Sequence, residues 1–205
     1  NLYQFNALSN PNLTCIDVDD PTWSTTNWID IDPHTSFSLN CNPIYGCTDS
    51  LASNYDPNAN TDDGSCTYAM TYVPDDNFEQ SLIDLGYDNV LDDSVLTNSI
   101  NSITFLNVSS QNITDLTGIE DFSSLDNFSC HNNQLTNLDL SQNTNLYLLI
   151  CKNNQLTSLD FTYNTMLAEL YCSQNQLTSL DLNQNIYLTY LSCYSNQLTS
   201  LDLSN

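Results

Sequence analysis

Cations are almost missing from this chain. Lys and Arg total 1 against 25 Asp and Glu in 205 residues, a formal charge of -24 at pH 7. That deficit excludes nucleic acid as a partner, because phosphate binding relies on Lys and Arg, and an anionic membrane surface would repel the chain. Long apolar runs are missing too. Nothing approaches the roughly 20 residues needed to span a bilayer, and no signal-peptide pattern is visible, so direct membrane insertion is not expected. Histidine occurs only at His34 and His131. No G-x-S-x-G, H-E-x-x-H or glycine-rich phosphate loop is present, so no enzyme activity is expected and no cofactor is required. The acid surplus itself fits a well-solvated extracellular protein in salty or calcium-rich surroundings, where self-repulsion is screened.

What the sequence does have is repetition. Cys130, Cys151, Cys172 and Cys193 stand 21 residues apart, and each is followed by x-x-N-Q-L-T-x-L-D. Self-similarity at that period marks a leucine-rich-repeat solenoid, mostly β with little helix. Each coil divides into two phrases, L-x-x-L-x-C-x-x-N (Leu146, Leu149, Cys151, Asn154) and L-x-x-L-x-F-x-x-N (Leu156, Leu159, Phe161, Asn164). Two short extended segments per coil are expected, with alternate residues inward. Stacked coils would then build ladders of Leu, Cys and Asn, the Asn amides serving turn backbone that is otherwise unpaired. The cysteines fill positions otherwise held by Leu or Phe, and there is no C-x-x-C pair. They would stack in a file rather than converge on a metal, so they read as small buried hydrophobes.

Four stretches follow from the pattern. Residues 1–43 look like the last coil and C-terminal cap of a preceding solenoid. Leu2, Phe5, Ala7, Asn10, Leu13, Ile16 and Val18 keep the repeat spacing, and Trp23, Trp28, Ile31 and Phe37 supply the bulk of a cap. Cys15 and Cys41 bracket that segment and are expected to pair. Residues 44–69 form a module too small for its own core, for which a Cys47–Cys66 bridge is the natural staple. Residues 70–102 read as an N-terminal helical cap, with a helix over Asp75–Gly86 whose Phe78, Leu82 and Leu85 share a face. Residues 103–205 are the solenoid, opened by a looser coil from Ile103 to Leu125.

Three sets of residues are candidate sites. Asp56, Asn58, Asn60, Asp62 and Asp63 crowd oxygen ligands into a short loop, which suits Ca²⁺; the alternative is a solvated Asx-rich turn. Asp139, Asp160, Asp181 and Asp202 form an outward acidic ladder, either simply solvated or bridged by cations. Leu148, Ile150, Tyr171, Tyr190 and Tyr194 occupy outward positions on the first-phrase ladder, with Glu169, Lys152 and His131 nearby. Exposed aromatics on a rigid surface favour a protein or glycan partner.

Several phrases resemble one family. The coils L-x-x-L-x-C-x-x-N-Q-L-T-x-L-D-L, the phrase Tyr72-Val73-Pro74-Asp75-Asp76-Asn77-Phe78-Glu79, and Asn10-Pro11-Asn12-Leu13-Thr14-Cys15-Ile16 resemble secreted leucine-rich-repeat surface proteins of marine Bacteroidota. The stretch G-C-T-D-x-x-A-x-N-Y-x-P-x-A-x-x-D-D-G-S-C is similar to a short module of large surface proteins from the same bacteria. The resemblance implies type IX export and surface display, without a settled molecular activity. It also implies O-glycosylation at Ser50 and Ser94, which head D-S-apolar triplets after Asp49 and Asp93. Asn1-Leu2-Tyr3 repeats Asn145-Leu146-Tyr147, and the last coil carries no cap. Copies of the chain are therefore expected to join end to end as units of a cell-surface fibre or giant adhesin. The rival expectations are a monomeric recognition module, or an accessory region of a secreted hydrolase.

Overall fold

The computed structural model describes residues 4–201 and 203. The chain forms two compact units, Asn1–Thr67 and Tyr68–Asn205. Leu2 and Asp202 lie outside the described residues.

In the first unit, β1 (Cys15–Asp17) pairs in parallel with β2 (Ser36–Ser38). Between them runs α1 (Pro21–Asn27), a helix absent from the sequence expectations. Its signals are local: Asp20 caps it through the Trp23 N–H, and Pro21 stands at the first turn, where no N–H is needed. Trp28 lies between Phe5 and Phe37, at ring-centroid distances of 5.2 and 5.8 Å. Cys15 and Cys41 are bonded. The remainder of the unit holds β3 (Tyr45–Gly46) and β4 (Thr61–Asp62), paired in parallel beside a Cys47–Cys66 disulfide.

The second unit begins with β5 (Met70–Tyr72), α2 (Asp76–Asp84), β6 (Ser94–Leu96) and the single turn α3 (Thr97–Ile100). β5 and β6 are antiparallel. Phe78 and Leu82 of α2 are fully buried, and the Phe78 ring lies 6.3 Å from that of Phe122 in the first coil. Leu85 does not share their face. It is the C-cap residue and is 45% exposed, because the helix ends before it, with Gly86 beyond at φ +81°. The buried place goes to Glu79 instead. Its carboxylate accepts the N–H groups of Asp92, Asp93 and Ser94 and so fixes the start of β6. Gly118, at φ +104°, lets the coil pass against the cap: a Cβ there would lie 2.8 Å from the Tyr72 carbonyl oxygen.

The coils stack through a parallel five-stranded sheet of β7 (Phe105–Asn107), β8 (Asn127–Ser129), β9 (Leu148–Ile150), β10 (Glu169–Tyr171) and β11 (Tyr190–Ser192). Central residues Leu106, Phe128, Leu149 and Leu170 point inward and are at most 1% exposed. Burying each is worth about 1.5–3 kcal/mol. The second phrase of each coil forms no strand among the described residues, contrary to the expectation of two. Its hydrogen bonding to the preceding coil is sparse: the N–H groups of Gln155, Gln176 and Gln197 reach the carbonyls of Leu135, Leu156 and Leu177. Leu156 and Phe161 still point inward.

Asparagine side chains supply what the backbone lacks. Asn154 donates to the carbonyls of Cys130 and Cys151 and accepts from the Leu135 N–H; Asn175 repeats the pattern one coil on. A second file, Asn143, Asn164 and Asn185, donates to carbonyls of the coil before it.

Candidate functional site

The sheet register sets the geometry of the outward face. Phe105, Asn127, Leu148, Glu169 and Tyr190 form one row, and Asn107, Ser129, Ile150, Tyr171 and Ser192 the next. Alternation along each strand turns these residues out, while the central residue turns in. Tyr171 and Tyr190 sit diagonally across β10 and β11 and stack, with centroids 4.6 Å apart and planes at 27°. Tyr190 is 48% exposed and Tyr194, just beyond β11, is 61% exposed. Leu148, Ile150 and Tyr171 are half-buried on the same face. Phe105 heads the first row and is also exposed. It was missed in the sequence, although its place beside inward Leu106 is the signal that would have found it.

Charge is scarce here. Glu169 is the one ionised side chain among the ten outward strand positions. Its Oε2 accepts the Tyr171 hydroxyl at 3.3 Å. Loss of solvent, then the Glu169 charge beside it, pushes the Tyr171 phenol up from its ordinary value. His131 lies at the rim, its Nδ1 2.8 Å from the Ser129 hydroxyl. Desolvation, followed by repulsion from Lys152, lowers its pKa.

The other candidates are placed differently. Asp56 Oδ1 accepts from the Asn58 N–H and amide, and Asn60 Oδ1 from the Ile44 N–H and the Thr61 hydroxyl. Asp62 and Asp63 accept the N–H groups of Gly64 and Ser65. The Asp56, Asp62 and Asp63 oxygens thus close turns, Asn60 ties the loop back to Ile44, and hydrogen bonds from Ser65 lower the Asp63 pKa. Among the described residues no three His, Cys, Asp or Glu side chains are gathered to hold a metal ion. Asp139, Asp160 and Asp181 likewise accept the N–H two residues on. Ser50 is exposed, whereas the Ser94 hydroxyl donates to Asp92 and its N–H to Glu79.

Cys130, Cys151 and Cys172 are buried free thiols, and Cys193 is half-buried. Burial pushes the Cys130 and Cys151 thiols well above their ordinary range and that of Cys172 up to about 12. Thiols held protonated in this way are poor nucleophiles and poor metal ligands.

No protein-family model matches the chain. Over 73 residues it is 36% identical to internalin J of Listeria monocytogenes serotype 4b (strain F2365), a stretch covering 36% of this chain and 8% of that protein. The solved functional domain of internalin J from Listeria monocytogenes, which includes a cysteine ladder, matches at a TM-score of 0.61 and 41% identity, over 67% of this chain and 31% of that one. An internalin F structure from Listeria monocytogenes strain F2365 matches at a TM-score of 0.48 and 18% identity, over 63% of this chain and 46% of that one. The chain therefore spans less than a third of either internalin J match. Its coils share the leucine-rich-repeat solenoid fold of the internalin J domain, and no helix among its described residues is long and apolar enough to cross a membrane.

Proposed function

We propose that this chain is a non-enzymatic part of an extracellular surface protein, and that the outward face of β7–β11 is its contact surface for a protein or glycan. The observation that carries the reading is the composition of that face. On a chain of charge -24, its ten outward strand positions hold one carboxylate, a stacked tyrosine pair and exposed Phe105. Charge depletion with aromatic enrichment is the compositional mark of a contact core. Solenoids in general present such extended surfaces, and the coils share that architecture with the functional domain of internalin J. Export by a type IX system and display on a marine bacterium belong to this reading, on the strength of the phrases quoted from the sequence.

The test is to probe glycan and protein arrays with the chain and with Tyr171→Ala/Tyr190→Ala. Signals that vanish in the variant support the reading; signals shared by both would overturn it.

A second reading has its own support. The first unit contains a parallel coil pair with an aromatic cluster, and the second opens with a helix packed on its first coil. Two solenoid pieces in one chain fit a tandem array, in which copies continue one another as a fibre. Electron microscopy with and without EDTA would test this: filaments with a repeat of one unit support it, and isolated short particles argue against it.

A further inference from the structure

Glu169 differs from most carboxylates of the coils; Asp121 and Asp126, which accept from the Thr71 hydroxyl and the Asn127 amide, lie outside the strands. Asp115, Glu120, Asp139, Asp160 and Asp181 each accept a backbone N–H from two residues away, so their charge is spent on a turn. Glu169 opens β10, half-buried, and its hydrogen bond is the 3.3 Å contact from the Tyr171 phenol. In the register it stands directly beside Tyr190, whose ring stacks on Tyr171. A carboxylate is thereby held against the edge of an aromatic pair.

We propose that this arrangement receives an arginine or lysine side chain of a polypeptide partner. This rests on the reading of the sheet face as a contact surface and names what it contacts. A guanidinium can lie over a tyrosine face while its N–H groups bond a carboxylate, and both attractions strengthen as water leaves. A carboxylate desolvated without a cation would instead oppose docking. An apolar partner would leave Glu169 in that state, and an acidic one would repel it. The field of a chain with charge -24 attracts cationic partners over distance as well. The single cation does not block the place. Lys152 follows β9, whereas Tyr190 lies on β11, across β10 from it, so the guest sits on the far side of Glu169.

The test selects binders of the 205-residue chain from a random heptapeptide library, at an ionic strength of about 0.15 M. Selected peptides are then titrated against the wild type, Glu169→Gln, Tyr171→Ala/Tyr190→Ala, and Asp160→Asn as an acid away from the sheet face. Circular dichroism confirms that each variant is folded. The expected result is enrichment of Arg- or Lys-bearing peptides, with affinity reduced about tenfold by Glu169→Gln and unchanged by Asp160→Asn. Peptides that lack a cation, or that bind Glu169→Gln like the wild type, overturn this inference and leave the contact-face reading intact if the tyrosine variant still loses them. Equal losses in Glu169→Gln and Asp160→Asn would show general attraction to acid and overturn it too. If nothing selected depends on the tyrosines, both fail together.

Discussion

Asp75 and Thr114 are joined through one carboxylate oxygen: Asp75 Oδ2 accepts the Thr114 N–H at 2.9 Å and the Thr114 hydroxyl at 2.7 Å. The other oxygen accepts the N–H groups of Asn77 and Phe78 and so caps α2. One side chain thus starts the covering helix and ties it to the first coil. Without that helix, Phe122 and the residues around it would face water.

Replacing Asp75 by Asn is therefore expected to cost about 2–3 kcal/mol at neutral pH, read by urea denaturation. Burial opposes the Asp75 charge, but the Thr114 hydroxyl and the N–H groups of Thr114, Phe78 and Asp115 outweigh it and lower the pKa. A lowered folded-state pKa stabilises the fold above the unfolded value of about 4, and that stabilisation is lost as pH falls through the folded value. The gap between wild type and variant should accordingly narrow in acid.

Glu79→Ala should be more damaging. It would take the partner from the partly buried N–H groups of Asp92, Asp93 and Ser94, which Glu79 receives from its own fully buried position. A loss of about 3–5 kcal/mol is expected, with hydrogen exchange rising first across β5 and β6.

Glu79 also shows where reading the sequence stops. The 21-residue period exposed the coils, the inward Leu, Cys and Asn files and the outward tyrosines, because identical neighbours in a solenoid make local spacing equivalent to spatial position. The cap has no such repetition. Its acids look alike in the sequence, yet Asp75 reaches Thr114, Glu79 is buried under a loop, and Asp76 stays in solvent. Leu85 looked like a core residue because its spacing from Leu82 assumed a helix running on to Gly86, whereas the helix ends at Asp84. The second phrase of each coil looked like a strand because Leu156 and Phe161 point inward; inward side chains do not require a backbone ladder.

Asn164 donates to the carbonyls of Leu140 and Asn143 from a fully buried position. Asn164→Leu should cost about 2–4 kcal/mol in spite of the added apolar area, since two buried carbonyls lose their donor. Asn137→Leu, at an exposed position of the preceding coil with an ordinary backbone, provides the contrast. Limited proteolysis of the two variants side by side would rank them.

Thiol chemistry should separate the two units. Both disulfides lie in the first unit, closing sequence separations of 26 and 19 residues. Reduction should cost that unit roughly 3 kcal/mol per bridge and leave the coils intact. A thiol reagent at pH 8 should label Cys193 first, and Cys130, Cys151 and Cys172 only on unfolding, as mass spectrometry of digests would show.

The most direct measurement compares two exposed apolar sets on the same coils. Tyr171, Tyr190 and Tyr194 lie on or beside the sheet face, whereas Tyr163, Ile186 and Tyr187 lie on the turns that precede the strands. Each set is replaced by alanine, and binding to the strongest array hits is measured by surface plasmon resonance. The expected result is loss of binding from the sheet-face variant alone, with the turn variant indistinguishable from wild type. Binding that survives on the sheet-face variant and disappears on the turn variant would contradict the assignment of β7–β11 as the contact surface.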